Sequence, residues 1–109
     1  MLSLICFLVL QNDSLKAQQH WGGVTTTSLF ATNEIVYIDS TVTMVDSNIT
    51  ILSCTVYIAQ GARIKMKRGV FTVDYGESAT VTTLQGISGQ SWGGLYMENT
   101  EIDINHARI

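Results

Sequence analysis

The clearest pattern in the chain lies between residues 48 and 73, which read NITILSCTVYIAQGARIKMKRGVFTV. At its centre, RIKMK (residues 63–67) alternates cationic and apolar side chains. In an extended strand, Ile64 and Met66 therefore point to one side and the three cations to the other. This alternation predicts a half-buried strand at the centre of the chain.

The same stretch is divided by isolated glycines, Gly61 and Gly69, and Gly76 follows shortly after it. Four apolar residues, Ile58, Ile64, Phe71 and Tyr75, fall close to a repeat of about six or seven positions. We therefore expect short strands separated by tight corners at the glycines.

Short runs of this kind continue outward in both directions. We predict strands at Glu34–Ile38, Thr41–Val45, Asn48–Leu52, Thr55–Ile58, Arg63–Lys67, Val70–Val73, Ala79–Leu84, Gly94–Met97 and Glu101–Ile104. Thr, Ile and Val together account for 33 of the 109 residues, and these β-branched types favour strands. No segment of ten or more residues has a helical period, which excludes an α/β fold with βαβ crossovers. The sequence predicts an all-β chain.

Two all-β architectures compete, the sandwich and the solenoid. A sandwich is built from hairpins, whose strongest local signals are Asn-Gly and Asp-Gly turns, and this sequence has neither dipeptide. Three short strands with three corners make a coil of roughly twenty residues, the unit that stacks in a parallel β-helix. We therefore predict a β-solenoid, of which the chain holds the N-terminal coils.

The start of the chain has the features of an export signal. Residues 2–10 form an apolar run, LSLICFLVL, too short to span a bilayer, and Leu15-Lys16-Ala17 resembles a cleavage site. No Lys or Arg precedes the run, and the alternative is a buried N-terminal strand. We predict a signal peptide at residues 1–17, lead-in strands at 18–40 and the first coils at 41–109. The predicted location is secreted or on the cell surface, without a stable membrane span.

The region from Thr41 to Ile109, a little under two thirds of the chain, resembles the start of secreted right-handed parallel β-helix proteins of the pectin-lyase-like superfamily. The resemblance is carried by elements that occur in the same order here: Ile49-Thr50-Ile51, Val56-Tyr57-Ile58, Gly61-Ala62-Arg63-Ile64 and Trp92-Gly93-Gly94-Leu95. The chain departs from the pattern at Gly69-Val70-Phe71, where many relatives carry a second Gly-Ala-x-Leu.

The resemblance implies an exported protein of Gram-negative bacteria with a structural, adhesive or glycan-binding role. The alternative is the N-terminal region of a polysaccharide lyase or glycoside hydrolase whose catalytic coils follow residue 109. Since an apolar last coil would be left uncovered, we expect the remaining coils to belong to the same, longer chain. A small complete β-sandwich binding module is the third hypothesis, and it would need hairpin turns.

Candidate ligand contacts are few. The cations Arg63, Lys65, Lys67 and Arg68 could hold an anionic polysaccharide, or could simply be a solvated strand face. Trp92 and Tyr96, together with Trp21, could stack on sugar rings, although packing in a core or cap is the commoner fate of a Trp. The predicted partner is therefore a polysaccharide or a cell-surface glycan.

Other classes of function find little support. A net charge of −3 does not indicate a nucleic-acid partner. His20 and His106 each stand alone, so no metal site is predicted, and no cofactor motif is present. Cys54 has no catalytic motif around it, and we expect a buried thiol. No catalytic residue is assigned, which favours a non-enzymatic role for this part of the protein.

Overall fold

A computed structural model describes residues 17–76 and 78–109, which form eleven strands and one short 3₁₀ turn. The predicted signal peptide, residues 1–17, lies outside the described residues except for Ala17. The 3₁₀ turn is at Ile87–Gly89. The strands are β1 (Gln18–Thr25), β2 (Leu29–Thr32), β3 (Ile35–Val45), β4 (Ile49–Leu52), β5 (Thr55–Ile58), β6 (Arg63–Lys67), β7 (Val70–Asp74), β8 (Thr82–Gly86), β9 (Gly94–Glu98), β10 (Glu101–Ile104) and β11 (Ala107–Arg108).

The strands form two sheets in which every pair is parallel. The first has seven strands, with the order β11-β8-β5-β3-β6-β9 and β1 also paired to β3. The second has four strands, in the order β10-β7-β4-β2. Among the described residues, consecutive strands do not pair with each other, so these sheets contain none of the hairpins that a β-sandwich requires. The all-β prediction is confirmed.

Strand partners in the first layers are separated by nearly even stretches of chain. In the second sheet Leu29 pairs with Ile49, and Ile49 pairs in turn with Phe71. Both intervals are close to the expected coil length. The next interval, from Phe71 to its partner Ile102, is clearly longer. The extra length lies in the segments 75–81 and 87–93, which add chain between strands without interrupting the parallel pairing.

In the seven-stranded sheet the long strands β1 and β3 each pair in two parts. The first half of β3 pairs with β5 (Ile35 with Thr55), and its second half pairs with β6 (Val42 with Ile64). The described strands therefore form three rows. The first row contains residues 18–21, 35–38, 55–58, 82–86 and 107–108. The second row contains residues 23–25, 42–45, 63–67 and 94–98, and the third row is the second sheet. The two strands predicted at Glu34–Ile38 and Thr41–Val45 are one continuous strand, because no glycine corner separates them.

One hydrophobic core collects the inward side chains of all three rows. In β4 to β7 alternate residues are buried, as the pleat requires. The members at most 3% exposed in β3 to β8 are Val36, Ile38, Val42, Met44, Ile49, Ile51, Val56, Ile58, Ile64, Met66, Phe71, Val73 and Leu84. The predicted alternation of Ile64 and Met66 against three cations is confirmed, since both are buried and the cations are exposed.

Three of the four residues in the predicted apolar repeat lie in this core: Ile58, Ile64 and Phe71. The fourth, Tyr75, comes only four positions after Phe71 and lies outside the core. It follows the end of β7, is 38% exposed, and stacks on His106 with ring centroids 4.1 Å apart. The strand predicted at Ala79–Leu84 begins later, at Thr82, because Ala79 adopts a left-handed φ of 56°.

The corners between rows use left-handed residues at equivalent positions. Asp46, Arg68 and Asn99 follow the last paired residues of β3, β6 and β9, and their φ angles are 57°, 58° and 49°. Immediately after Arg68, Gly69 passes so close to the Ser47 carbonyl that a Cβ atom would clash with its oxygen. Gly69 is therefore required by close backbone approach.

The last described layer is less covered than those before it. Ile102 and Ile104 of β10 are 52% and 36% exposed, whereas their partners in β7, Phe71 and Val73, are fully buried. Among the described residues, no strand pairs with the edge of β10 that lies opposite β7. At that edge Ile102 and Ile104 have no neighbouring strand to cover them.

Candidate functional site

The predicted basic residues occupy the outer surface of the row formed by β3, β6 and β9. Arg63, Lys65 and Lys67 alternate with buried residues along β6 and point away from the core. Parallel pairing places Lys65 between Thr43 and Tyr96, and Lys67 between Val45 and Glu98. Because parallel strands lie about 4.8 Å apart, each set of three side chains forms a continuous cross-strand row.

A shallow groove of about 430 Å³ lies between these two rows. Its lining residues are Thr43, Met44, Val45, Lys65, Met66, Lys67, Tyr96, Met97 and Glu98. Since Met44 and Met66 are buried, the side chains that a ligand would meet are those of the two outer rows. The groove thus combines two ammonium groups, one carboxylate, an aromatic ring, a threonine hydroxyl and a valine.

Tyr96 forms one wall of the groove. The Arg63 guanidinium lies over its ring, 5.0 Å from the centroid, in a cation–π contact. Arg63 does not line the groove although Tyr96 does, so the guanidinium supports the ring from outside the depression. The side chain of Tyr96 is exposed, as the residue as a whole is 49% accessible.

Two of the four predicted cations are neutralised by carboxylates. The Lys67 ammonium lies 3.3 Å from a carboxylate oxygen of Glu98. At the corner after β6, Arg68 donates two hydrogen bonds to Asp46, of 2.8 and 3.1 Å. These bonds lower the pKa of the Asp46 carboxyl and raise the pKa of the Arg68 guanidinium. The pairs are exposed, and they reduce the positive charge that the surface offers to a ligand.

Lys65 is different, because no ion pair or hydrogen bond of its ammonium occurs within residues 17–76 and 78–109. Its neighbours in the row, Thr43 and Tyr96, bear hydroxyl groups and not carboxylates. Among the described residues, Lys65 is therefore the one cation of the groove without a carboxylate partner.

The structure separates the predicted aromatic residues. Tyr96 lies in the groove with the basic residues, whereas Trp92 is half-buried and packs against the core. Trp21 is 5% exposed and belongs to the core, and its indole nitrogen donates to the Gln19 side-chain oxygen. Tyr96 is thus the predicted aromatic residue whose position suits a sugar.

Glu98 and Val45 complete the groove and were not among the predicted site residues. Both lie far from Lys67 in the sequence, and strand pairing brings all three together. No local pattern could have identified them, although a correct register for β3, β6 and β9 would have done so.

Two histidines lie in similar settings away from the groove. The His20 Nδ1 atom is 2.7 Å from Asp39, and its ring stacks on Tyr37 at 4.9 Å. The His106 Nδ1 atom is 2.8 Å from Asp74. This contact and the backbone N–H of Tyr75 lower the pKa of the Asp74 carboxyl. Each histidine–aspartate pair links residues of two successive layers.

The remaining reactive side chain, Cys54, is 1% exposed, and burial raises the pKa of its thiol. The thiol donates to the Leu52 carbonyl, as expected for a packed cysteine. In the described part of the chain, no three His, Cys, Asp or Glu side chains are grouped as a metal site would require.

The described residues include four aspartates, which lie in separate contacts. Asp39, Asp46 and Asp74 each face a different basic partner, and Asp103 accepts a hydrogen bond from the Asn105 amide at 2.6 Å. Each carboxylate is engaged in a local contact.

A second depression, of about 570 Å³, lies near the ends of β2 and β4. It is lined by Phe30, Thr32, Asn33, Leu52, Gly76 and Ser78, and these described residues bear no charge. The groove on β3, β6 and β9 is therefore the better candidate for a charged or mixed ligand.

No helix among the described residues has the length and apolar character needed to cross a membrane. In comparisons with known proteins, no protein-family model, curated protein or solved structure matches the chain.

Proposed function

We propose that the protein is an exported, right-handed parallel β-helix with a structural or adhesive role, and that it binds a glycan. The observation that carries the binding proposal is the groove between the two outer rows of β3, β6 and β9. Export is proposed from the apolar run at residues 2–10 and the Leu15-Lys16-Ala17 sequence.

The β-helix proposal is supported by the parallel pairing and by the order of the rows. The chain passes through residues 35–38, 42–45 and 49–52, and then returns to the first row at 55–58. The second passage, 55–58, 63–67 and 70–74, repeats the order. A chain that visits three rows in the same order builds successive coils around one core.

Glycan binding is supported by the chemistry of the groove. Tyrosine rings pack against the apolar faces of sugars, and ammonium groups donate to sugar carboxylates and hydroxyls. Tyr96, Lys65 and Thr43 provide these contacts side by side on a surface built from regular strands. Strands fix the spacing of such side chains more precisely than loops do.

The experiment is glycan-array screening of the purified full chain, followed by titration calorimetry on the best ligands. We expect Lys65→Gln and Tyr96→Ala each to weaken binding about tenfold or more, since each removes a principal contact. Tyr96→Phe should bind nearly as well as the unmodified chain, because it keeps the ring.

Arg108→Gln is the matched control, since it removes one exposed cation from β11, outside the groove. Its affinity should be unchanged. Absence of binding to any glycan, or binding that survives both groove substitutions, would refute the proposed role of this surface.

A further inference from the structure

Resting on the proposed glycan-binding function, we infer that the groove engages a single acidic residue of a sugar chain and gains little affinity from further acidic residues. The charges around β6 are the basis of this inference, and Glu98 is its specificity-determining residue.

The first step concerns the number of cations that a ligand can use. Within the described residues, Lys67 is paired with Glu98 and Arg68 is paired with Asp46. Arg63 lies over the Tyr96 ring and does not line the groove. Lys65 alone is left in the groove without a compensating carboxylate, so one anionic group can be neutralised there.

The second step concerns where that anionic group would lie. Lys65 and Tyr96 are direct cross-strand partners, and such partners have Cβ atoms about 5 Å apart. A pyranose ring resting on Tyr96 would place a ring carboxylate within reach of the Lys65 ammonium. An acidic monosaccharide, such as a hexuronate, fits this pair.

The third step concerns the adjacent set of side chains, that of Lys67 and Glu98. A second carboxylate displaced toward the end of β6 would approach Glu98, whose side chain is 65% exposed. The carboxylates of the ligand and of Glu98 would repel each other. Lys67 cannot bind the ligand carboxylate without breaking its ion pair with Glu98. Additional acidic sugars therefore add little affinity.

The test compares three synthetic tetrasaccharides with the full chain by titration calorimetry. One consists of neutral hexoses, one is the same chain with a single terminal glucuronate, and one is built entirely of glucuronates. We expect the single-acid probe to bind about tenfold more tightly than the neutral probe. The all-glucuronate probe should gain no more than about threefold beyond that.

Glu98→Gln provides the second arm, because it frees Lys67 without removing a cation. The variant should bind the all-glucuronate probe about tenfold more tightly than the unmodified chain, with little change for the single-acid probe. Glu101→Gln is the matched control: it removes one carboxylate from β10, which does not line the groove.

The outcomes separate this inference from the function on which it rests. If the all-glucuronate probe binds the unmodified chain far more tightly than the single-acid probe, and Glu98→Gln changes nothing, the selectivity is refuted while glycan binding stands. If no probe binds, or if Lys65→Gln binds all three as well as the unmodified chain does, the proposed function fails as well.

Discussion

Replacing two isoleucines of the same interior row tests whether stacking of successive layers stabilises the protein. Ile49 of β4, Phe71 of β7 and Ile102 of β10 lie in register on the inner face of the second sheet. Ile49 is fully buried between neighbouring strands, whereas Ile102 is 52% exposed. The substitutions Ile49→Ala and Ile102→Ala remove the same atoms from two different environments.

The expected magnitudes follow from burial. Truncating a fully buried isoleucine to alanine costs about 2–5 kcal/mol, from lost hydrophobic transfer and the cavity that remains. Ile49 has strands on both sides, β2 and β7, that cannot collapse easily into such a cavity, so we expect about 3 kcal/mol. Ile102 keeps half its surface in solvent and leaves an open depression, so about 1 kcal/mol or less is expected.

The assay is urea denaturation of the full chain, followed by circular dichroism and by tryptophan fluorescence. Coincident transitions would justify a two-state free energy of unfolding. Thr50→Ala, an outward neighbour of Ile49 in β4, is the control and should change the free energy by less than about 1 kcal/mol. Equal losses for Ile49→Ala and Ile102→Ala would contradict the register and the burial on which the fold description rests.

Two further predictions concern titratable groups. In a Cys6→Ser variant, Cys54 should react with a disulfide reagent near pH 8 about a hundredfold more slowly in the folded chain than in denaturant. The reason is that burial shields the thiol from the reagent and raises its pKa. Equal reaction rates in the two conditions would refute the burial of Cys54. Hydrogen bonds from Arg68 lower the folded-state pKa of Asp46 from an ordinary value of 3.8. The ion pair therefore stabilises the fold at pH values above 3.8, and this stabilisation is lost as the pH falls through the lowered pKa. In Asp46→Asn the free energy of unfolding should therefore fall less steeply with decreasing pH below about pH 4 than in the unmodified chain. Urea denaturation at a series of pH values measures this, and an unchanged pH dependence would contradict the role of the pair.

Much of the strand content was predictable from the sequence. The alternation in Arg63–Lys67, the β-branched composition and the single glycines each act locally, through the pleat and through backbone freedom. The predictions for β5, β6 and β10 match the observed bounds, and those for β4, β7 and β9 differ by one residue. Strand bounds failed where a local signal was missing, as at β3, which continues without a corner through Asp39 and Ser40.

The candidate site was predictable in part. Arg63, Lys65 and Lys67 were predicted to point outward, because charge and alternation are visible in the sequence. Tyr96 was predicted separately, as an aromatic residue that could stack on a sugar. Trp92 could not be assigned from its sequence context, since a Trp between a serine and two glycines is compatible with either a core or a surface position. Its half-buried position depends on how the segment 87–93 crosses between rows.

The sequence alone determined that this chain forms short strands with one apolar face, because that outcome depends on the type and spacing of neighbouring residues. Tertiary structure alone decided which strands lie side by side. It therefore decided that, among the described residues, Glu98 pairs with Lys67 while Lys65 has no carboxylate partner. The pairing of Lys67 with Glu98 bridges a longer stretch of chain than the pairing of Val45 with Lys67, because the segments 75–81 and 87–93 lie within it. The register of parallel strands is set by the collective packing of their inward side chains, which no local stretch of sequence contains.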